Sequence, residues 1–426
     1  MVNILLIVVF VAGYIAIAFE HKIKVNKTAT ALLLAVFCWA LVAIQKCLEC
    51  GPHQYIEVVL QNLNQHLHDI AQIIIFLMGA MTIVELIDSH GGFKIITDFI
   101  RTKDKRKLLW VISILTFFLS SVLDNLTTSI VMVSLLRRLI PDRDDRMIFA
   151  SMVIVAANAG GAWSPIGDVT TMMLWIGGQV TAGKLMKLLM IPSLVSLLVP
   201  LVYFSLSIQP GAYPDSSHST DSPTQYGAKR VFFLGVGSLI FVPIFRAVTN
   251  LPPFMGILLG LGIMWVLTDI IHQNRDDLKV PRILTKIDFS SILFFLGILL
   301  AVAALETAGI LESLALRTDQ YFNNKDIIAT VLGLLSAIID NVPLTAAAMG
   351  MYPLSVIPTD AKFWDMIAYS VGTGGSLLII GSAAGVVVMG MEKISFGWYL
   401  KKVSFPALSG YLMGILFFLF IYRIIY

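Results

Sequence analysis

Runs of about 20 mostly apolar residues, the length that carries a helix across a bilayer, recur along this 426-residue chain. They fall near 2–19, 28–45, 70–88, 147–180, 185–207, 229–248, 253–271, 288–310, 364–391 and 399–425. With short connections, about ten to twelve spans fit. Backbone polar groups in lipid must pair within their own segment, so the fold class is all-α and polytopic. Composition agrees: 57% of residues are hydrophobic and 13% charged, against about 45–50% and about 25% in soluble domains. A soluble enzyme, a disordered chain and a nucleic-acid binder are thereby excluded. Cys38, Cys47 and Cys50 are too few for a disulfide framework. Residues 1–19 lack a basic flank and a small-residue cleavage site, so they read as a first span, not a signal peptide.

Two apolar segments do not read as simple spans. Residues 108–138 are broken by Asp124-Asn125, and residues 326–356 by Asp340-Asn341. Each is two crossings or one re-entrant hairpin with a polar tip. The polar centre favours the hairpin, because irregular backbone at membrane depth is tolerated only inside protein or at a cavity. With both read as hairpins, 22 of the 30 basic residues face one side. That side is cytoplasmic by the positive-inside rule, and both termini lie on the other. Counting both hairpins as double spans leaves the parity unchanged, so charge alone does not settle re-entrance.

The chain also matches itself. Gly79, Asp88 and Gly91 match Gly297, Glu306 and Gly309 at an offset of 218. The segment 120–125 matches 336–341 at 216, and 160–168 matches 374–382 at 214. The expected organisation is a first repeat over 1–207 (hairpin 108–138, broken helix 147–180), a cytoplasmic linker over 208–228 rich in Ser, Pro, Thr and Asp, and a second repeat over 229–426 (hairpin 326–356, broken helix 364–391). Five spans separate the hairpins, so the halves are inverted. Inverted repeats with interrupted helices mark secondary transporters, with the binding site where the interruptions meet. No Walker motif accompanies them, so drive by ATP is not expected.

Each repeat supplies a carboxylate-amide tip and a glycine-rich break: Asp124-Asn125 with Asn158 through Asp168, and Asp340-Asn341 with Gly372 through Ser382. Asp124, Asp168 and Asp340 lie deep in apolar sequence, where a carboxylate costs about 2.5–3.5 kcal/mol on insertion scales. Such residues are functional candidates; the plainer reading is an Asp capping a half-helix N-terminus, and the two roles can coexist. Thr127, Thr128, Asn158, Thr170, Thr171, Ser376 and Ser382 add neutral oxygens. Neither tip nor break contains Lys or Arg. Hard cations such as Na⁺ or Li⁺ prefer carboxylate, amide and carbonyl oxygens. A buried carboxylate can hold a proton or a cation but not both, and with alternating access that competition yields cation/proton exchange.

The run Leu-Asp-Asn-Leu-Thr-Thr at 123–128, Ile-Asp-Asn-Val-Pro-Leu-Thr at 339–345 and Asn-Ala-Gly-Gly-Ala-Trp-Ser-Pro-Ile-Gly-Asp-Val-Thr-Thr at 158–171 resembles the NhaD-type Na⁺/H⁺ antiporters of the ion transporter superfamily. The resemblance runs from the third span to the last. It implies a scaffold plus a transport domain, elevator-like motion, a homodimer, and efflux of Na⁺ and Li⁺ against protons at alkaline pH across a bacterial inner membrane. It implies no enzymatic activity and no cofactor, only lipid, ions and protons as partners. The implied cation and proton site is Asp124, Asn125, Asn158, Asp168, Thr170, Thr171, Asp340 and Asn341, with Na⁺ at Asp124, Asp168 and Asp340. Dicarboxylate carriers of the same superfamily have tips resembling Ser-Asn-Thr; Asp stands in place of that Ser in both tips here. A carboxylate symporter and an arsenite-type anion exporter are the alternatives on this fold. Asp168 is matched by Ser382, so the halves are not chemically equivalent.

Lesser signals remain. Glu85 and Asp88, three residues apart, share a helix face at the inner end of the third span. They fit a proton relay, or, more simply, pairing with a loop lysine; Glu306 reads the same way on the outer side. Glu392 falls at the inner boundary beside Lys393. The outer loop 46–69 carries Cys47, Cys50, His53, His66 and His68 in no standard zinc spacing, and reads as a solvated amphipathic helix.

Overall fold

A computed structural model of the chain describes residues 2–18, 20–50, 55–97, 100, 102, 104–213, 226–273, 275–322 and 324–425. Among them the regular elements are all helices, with one isolated bridge, Asp104 to Ala212. The first half holds α1 (Val2–Ala18), α2 (Glu20–Ile23), α3 (Lys27–Cys50), α4 (Tyr55–Ser89), α5 (Lys94–Thr97), α6 (Lys105–Leu123), α7 (Asn125–Leu139), α8 (Arg143–Gly161), α9 (Val169–Ile176) and α10 (Ala182–Ser207). The second holds α11 (Ala228–Thr249), α12 (Pro253–Ile271), α13 (Val280–Ile283), α14 (Phe289–Thr307), α15 (Ile310–Tyr321), α16 (Lys325–Leu335), α17 (Asn341–Met351), α18 (Lys362–Gly374), α19 (Ala383–Glu392), α20 (Phe396–Lys402) and α21 (Ser404–Ile425). Among the described residues, eight helices are long and apolar enough to cross a membrane: α3, α4, α6, α10, α11, α12, α14 and α21.

The outer segment 46–69 is helical at all its described positions, which belong to the two neighbouring spans: α3 runs on to Cys50 and α4 starts at Tyr55, while 51–54, with His53, lie outside the described residues. The 35 residues of α4 extend about 52 Å at 1.5 Å per residue, longer than a bilayer core. The polar residues of 55–69 are simply its first turns. There His66 Nε2 lies 3.2 Å from Thr307 Oγ1. Of the linker 208–228, residues 214–225 lie outside the description.

Both interrupted segments are helical hairpins whose tips end in the core, at Asp168. Asp124 is the one residue between α6 and α7, which pack on each other and on α8. The two ends of this hairpin meet at one place. Lys105, opening α6, bonds Asp145 Oδ2 at 2.6 Å, and Arg146 Nη1 donates to the carbonyl of Ile140, just past α7, at 2.9 Å. Both partners stand on the first turn of α8. In the second hairpin Lys325, opening α16, and Tyr352, closing α17, share Asp319 at 2.7 and 2.8 Å. Lys362 on the first turn of α18 reaches Asp326 at 2.6 Å.

The broken helices α8–α9 and α18–α19 run antiparallel. Asp360, just before α18, accepts from Thr181 N at 2.7 Å just beyond α9. At the other end Glu392, closing α19, bonds Arg146 of α8 at 2.7 Å and Arg137 of α7 at 2.6 Å. Glu392 thus joins both halves at the basic end instead of answering its neighbour Lys393. Every residue from Phe149 to Asp168 is buried, as is every residue from Phe363 to Leu377. In lipid, close packing does the work that hydrophobicity does in water, so small residues line such contacts. A Cβ on Gly160 would collide with the Phe117 carbonyl, and one on Gly374 with the Gly333 carbonyl. Each hairpin therefore lies on its broken helix through a glycine.

The helices sort into two bodies. One contains α1, α3, α4, α11, α12 and α14 packed on one another. The other contains both hairpins, both broken helices, α10 and α21. The seam between them is made chiefly by α17 on α14, α6 on α11 and α9 on α4, with α15 packed on both α14 and α17.

Candidate functional site

Four helices begin at one point in the core of the second body. Helices α7 and α17 open with Asn125 and Asn341, the second residue of each tip; α9 and α19 are capped by Asp168 and Ser382. Partial positive charge at helix N-termini favours an anion there. The carboxyl group placed there belongs to Asp168, which is 1% exposed.

Asp168 collects donors from all sides. Asn125 Nδ2 donates to its Oδ2 at 2.6 Å, and Asn341 Nδ2 lies 3.2 and 3.1 Å from its two oxygens. Thr170 donates to Oδ1 through both N–H and Oγ1 at 2.9 Å. Asn158 Oδ1 accepts from Asn125 Nδ2 at 3.0 Å, while Asn158 Nδ2 donates to Ser382 Oγ at 3.0 Å. One network thus joins both tips to both breaks. Hydrogen bonds to an ionised group are the strong ones, about 1.5–3 kcal/mol each. Thr171 instead turns its hydroxyl to the Asp168 carbonyl at 3.0 Å.

The structure separates the three expected carboxylates. Asp124 turns onto its own helix, accepting from Thr127 N at 2.8 Å and Thr127 Oγ1 at 2.9 Å. Its φ of +74° with ψ of 159° lies in a region that essentially only glycine occupies without strain. Asp340 makes no such cap. It lies beside Tyr14 of α1 and within electrostatic reach of Lys27 of α3, both on the other body. Asp124 and Asp340 are both within electrostatic reach of Asp168. No cation stands in either tip or break, but the fold brings Lys27 close to one of them. Nothing within the local sequence announces that approach.

The remaining candidates fall elsewhere. Thr128 Oγ1 is buried at the first tip with no protein partner. Ser376 donates to the Thr373 carbonyl at 2.7 Å and stays within its own turn. Glu85 accepts from Ser89 at 3.0 Å, and Lys286 Nζ reaches that same Ser89 Oγ at 3.0 Å. Glu85 and the loop lysine Lys286 thus share Ser89 without a direct ion pair. Asp88 is exposed at the end of α4, and Glu306 stands at the end of α14 opposite His66. None of these three joins the Asp168 network. Trp163 stacks on Phe117 at 6.0 Å between ring centres and walls the break.

The donor set is carboxylate, amide and hydroxyl oxygen, with no thiol or imidazole. It suits a hard monovalent cation or a proton. Two re-entrant hairpins and two crossed broken helices around one buried carboxylate define a polytopic transporter of the ion transporter superfamily, not an enzyme. A family model described as citrate transporter matches residues 14–367. The chain is 49% identical to sodium/proton antiporter 1 of Arabidopsis thaliana over 99% of its own length and 73% of the relative's. It is 48% identical to sodium/proton antiporter 2 of the same plant, over 97% and 98%. To the Na⁺/H⁺ antiporter NhaD of Vibrio cholerae it is 30% identical, over 96% and 90%. The chain belongs to this family of membrane transporters.

Proposed function

We propose that the chain exchanges Na⁺, and also Li⁺, for protons, and that Asp168 is the group for which they compete. The observation that carries this is the convergence of Asn125 and Asn341 on Asp168. A cation at Asp168 would be met by amide oxygens once the two Asn side chains rotate their Nδ2 away. A proton on Asp168 would remove the reason for the cation to stay. Asp124 and Asp340 act on the site through their charge. The relatives named as sodium/proton antiporters support the reading, at 49%, 48% and 30% identity. The family description names citrate, but a trianion would have to settle beside Asp168 with two further carboxylates in reach, and charge repulsion opposes that.

The two bodies support an elevator: the hairpins, broken helices, α10 and α21 move as one, carrying Asp168 past the scaffold of α1, α3, α4, α11, α12 and α14. Inverted repeats over 1–207 and 229–426 supply the two equivalent end states. The reading places the basic face on the cytoplasmic side, both termini opposite, and two copies side by side through the scaffold. The resemblance puts this in a bacterial inner membrane; relatives stand in a plant as well.

Proteoliposomes with an imposed pH gradient and a pH-sensitive dye test it. Added Na⁺ or Li⁺ should collapse the gradient, and citrate should not. Uptake of labelled citrate with no response to Na⁺ or Li⁺ would overturn the reading.

A further inference from the structure

A second cluster lies apart from Asp168, at the basic end of the scaffold body. His90 follows the last residue of α4, and His272 caps α12. They are 182 positions apart, yet their ring centres are 5.0 Å apart. Both side chains are buried, at 0% and 6% exposure, and both Nε2 atoms are buried with no protein partner. Buried polar atoms normally find partners, so two unmatched nitrogens on touching rings want an explanation.

The tautomer of His90 follows from one bond. Its Nδ1 lies 2.7 Å from the Leu86 carbonyl. A carbonyl only accepts, so Nδ1 carries the hydrogen and Nε2 carries the lone pair. Metal-bound histidines are built this way: the second nitrogen donates to a backbone carbonyl, fixing ring orientation and presenting the first nitrogen. The spacing also fits. With metal–nitrogen bonds of about 2.0–2.1 Å, two imidazoles on one tetrahedral ion hold their ring centres about 5 Å apart.

We propose that His90 and His272 form a two-histidine site for a divalent d-block ion of the Zn²⁺ class, ligated through both Nε2 atoms. Imidazole selects such ions over Na⁺, Mg²⁺ or Ca²⁺. The other two positions go to water. The nearby carboxylate, Asp277, is already held by Arg275 through two bonds of 2.9 Å, which push its carboxyl down to about 2. The nearby cation Lys286 is turned to Ser89 at 3.0 Å. A bound ion would tie α4 to α12 just before Gly91, whose φ of +70° starts the turn leading toward α6. The site is independent of the exchange reaction and would stand if that reading failed.

The test uses the full chain, purified in detergent with any affinity tag removed. Zn²⁺ binding is measured by titration calorimetry and by the shift in Tm, with Mg²⁺ alongside. One Zn²⁺ per chain should bind and raise Tm, Mg²⁺ should do neither, and His90→Gln or His272→Gln should each weaken binding more than tenfold. The double variant His66→Gln/His68→Gln, at the opposite end of α4, should bind as the parent does. Absence of Zn²⁺ binding, or binding that survives both His90→Gln and His272→Gln, overturns the proposal. If those variants do not fold, Co²⁺ in the parent protein decides. A tetrahedral spectrum supports the site and an octahedral one overturns it.

Discussion

At the residue scale the account turns on which member of each Asp-Asn tip faces the site. In sequence the carboxylates stand out, because an Asp in apolar surroundings is costly. In the structure Asn125 and Asn341 touch Asp168, while Asp124 caps its own helix. The capping role was legible, since Asp is a preferred N-cap residue. The exchange of roles was not, because it depends on the positive-φ backbone at Asp124 and on α9 arriving from 43 residues away. Asp168→Asn should abolish Na⁺-dependent proton movement while leaving the protein folded, checked by transport and by Tm. Asn125→Ala or Asn341→Ala removes an amide oxygen that the reading gives to the cation, a contact with a charged group worth about 1.5–3 kcal/mol. Apparent Na⁺ affinity should therefore fall about 10- to 100-fold, read from Na⁺ titrations at fixed pH. In the parent protein a proton on Asp168 excludes Na⁺, so the Na⁺ concentration for half-maximal exchange should rise as the pH is lowered.

At the scale of elements the sequence was most informative where period and breaks coincide. The spans near 185–207, 229–248, 253–271 and 288–310 reappear as α10, α11, α12 and α14 within a few residues at either end. Re-entrance was left open by charge parity, and what favours it is the meeting of both tips with Asp168, at the breaks of the crossed helices. These are tertiary contacts, invisible to hydropathy. The same holds for Glu392 with Arg137 and Arg146, which lie about 250 positions upstream. Glu392→Ala should lower stability by about 1.5–3 kcal/mol through loss of charged hydrogen bonds, measured as a lower Tm in detergent. Gly160→Ala puts a methyl group against the Phe117 carbonyl. Overpacking of a tight core costs about 1–3 kcal/mol or more, so this variant should show reduced folded yield on size-exclusion chromatography.

At the scale of the molecule, the two bodies could not be read from the sequence, because each takes helices from both halves of the chain. The repeat offsets of 214 to 218 suggested matching halves. That the interruptions meet was expected; which of the other helices, α10 and α21, join them in one body was not. One contact across the seam is specific: Arg246 of α11 donates to the Trp175 carbonyl of α9 at 2.6 Å and stacks on its ring at 4.9 Å. Motion of one body past the other must break it. Arg246→Ala should change the maximal exchange rate while leaving the half-saturating Na⁺ concentration within about twofold, since no site residue is altered.

The central claim is that one carboxylate, Asp168, is shared by cation and proton. It is tested most directly by dye-reported exchange in proteoliposomes across a Na⁺ series at several pH values, comparing the parent with Asp168→Asn, Asp124→Asn and Asp340→Asn. The account predicts that Asp168→Asn alone loses exchange at every pH, while the two tip variants retain it with altered Na⁺ affinity. Normal exchange by Asp168→Asn, together with loss in Asp124→Asn or Asp340→Asn, would contradict it and move the site to the tips.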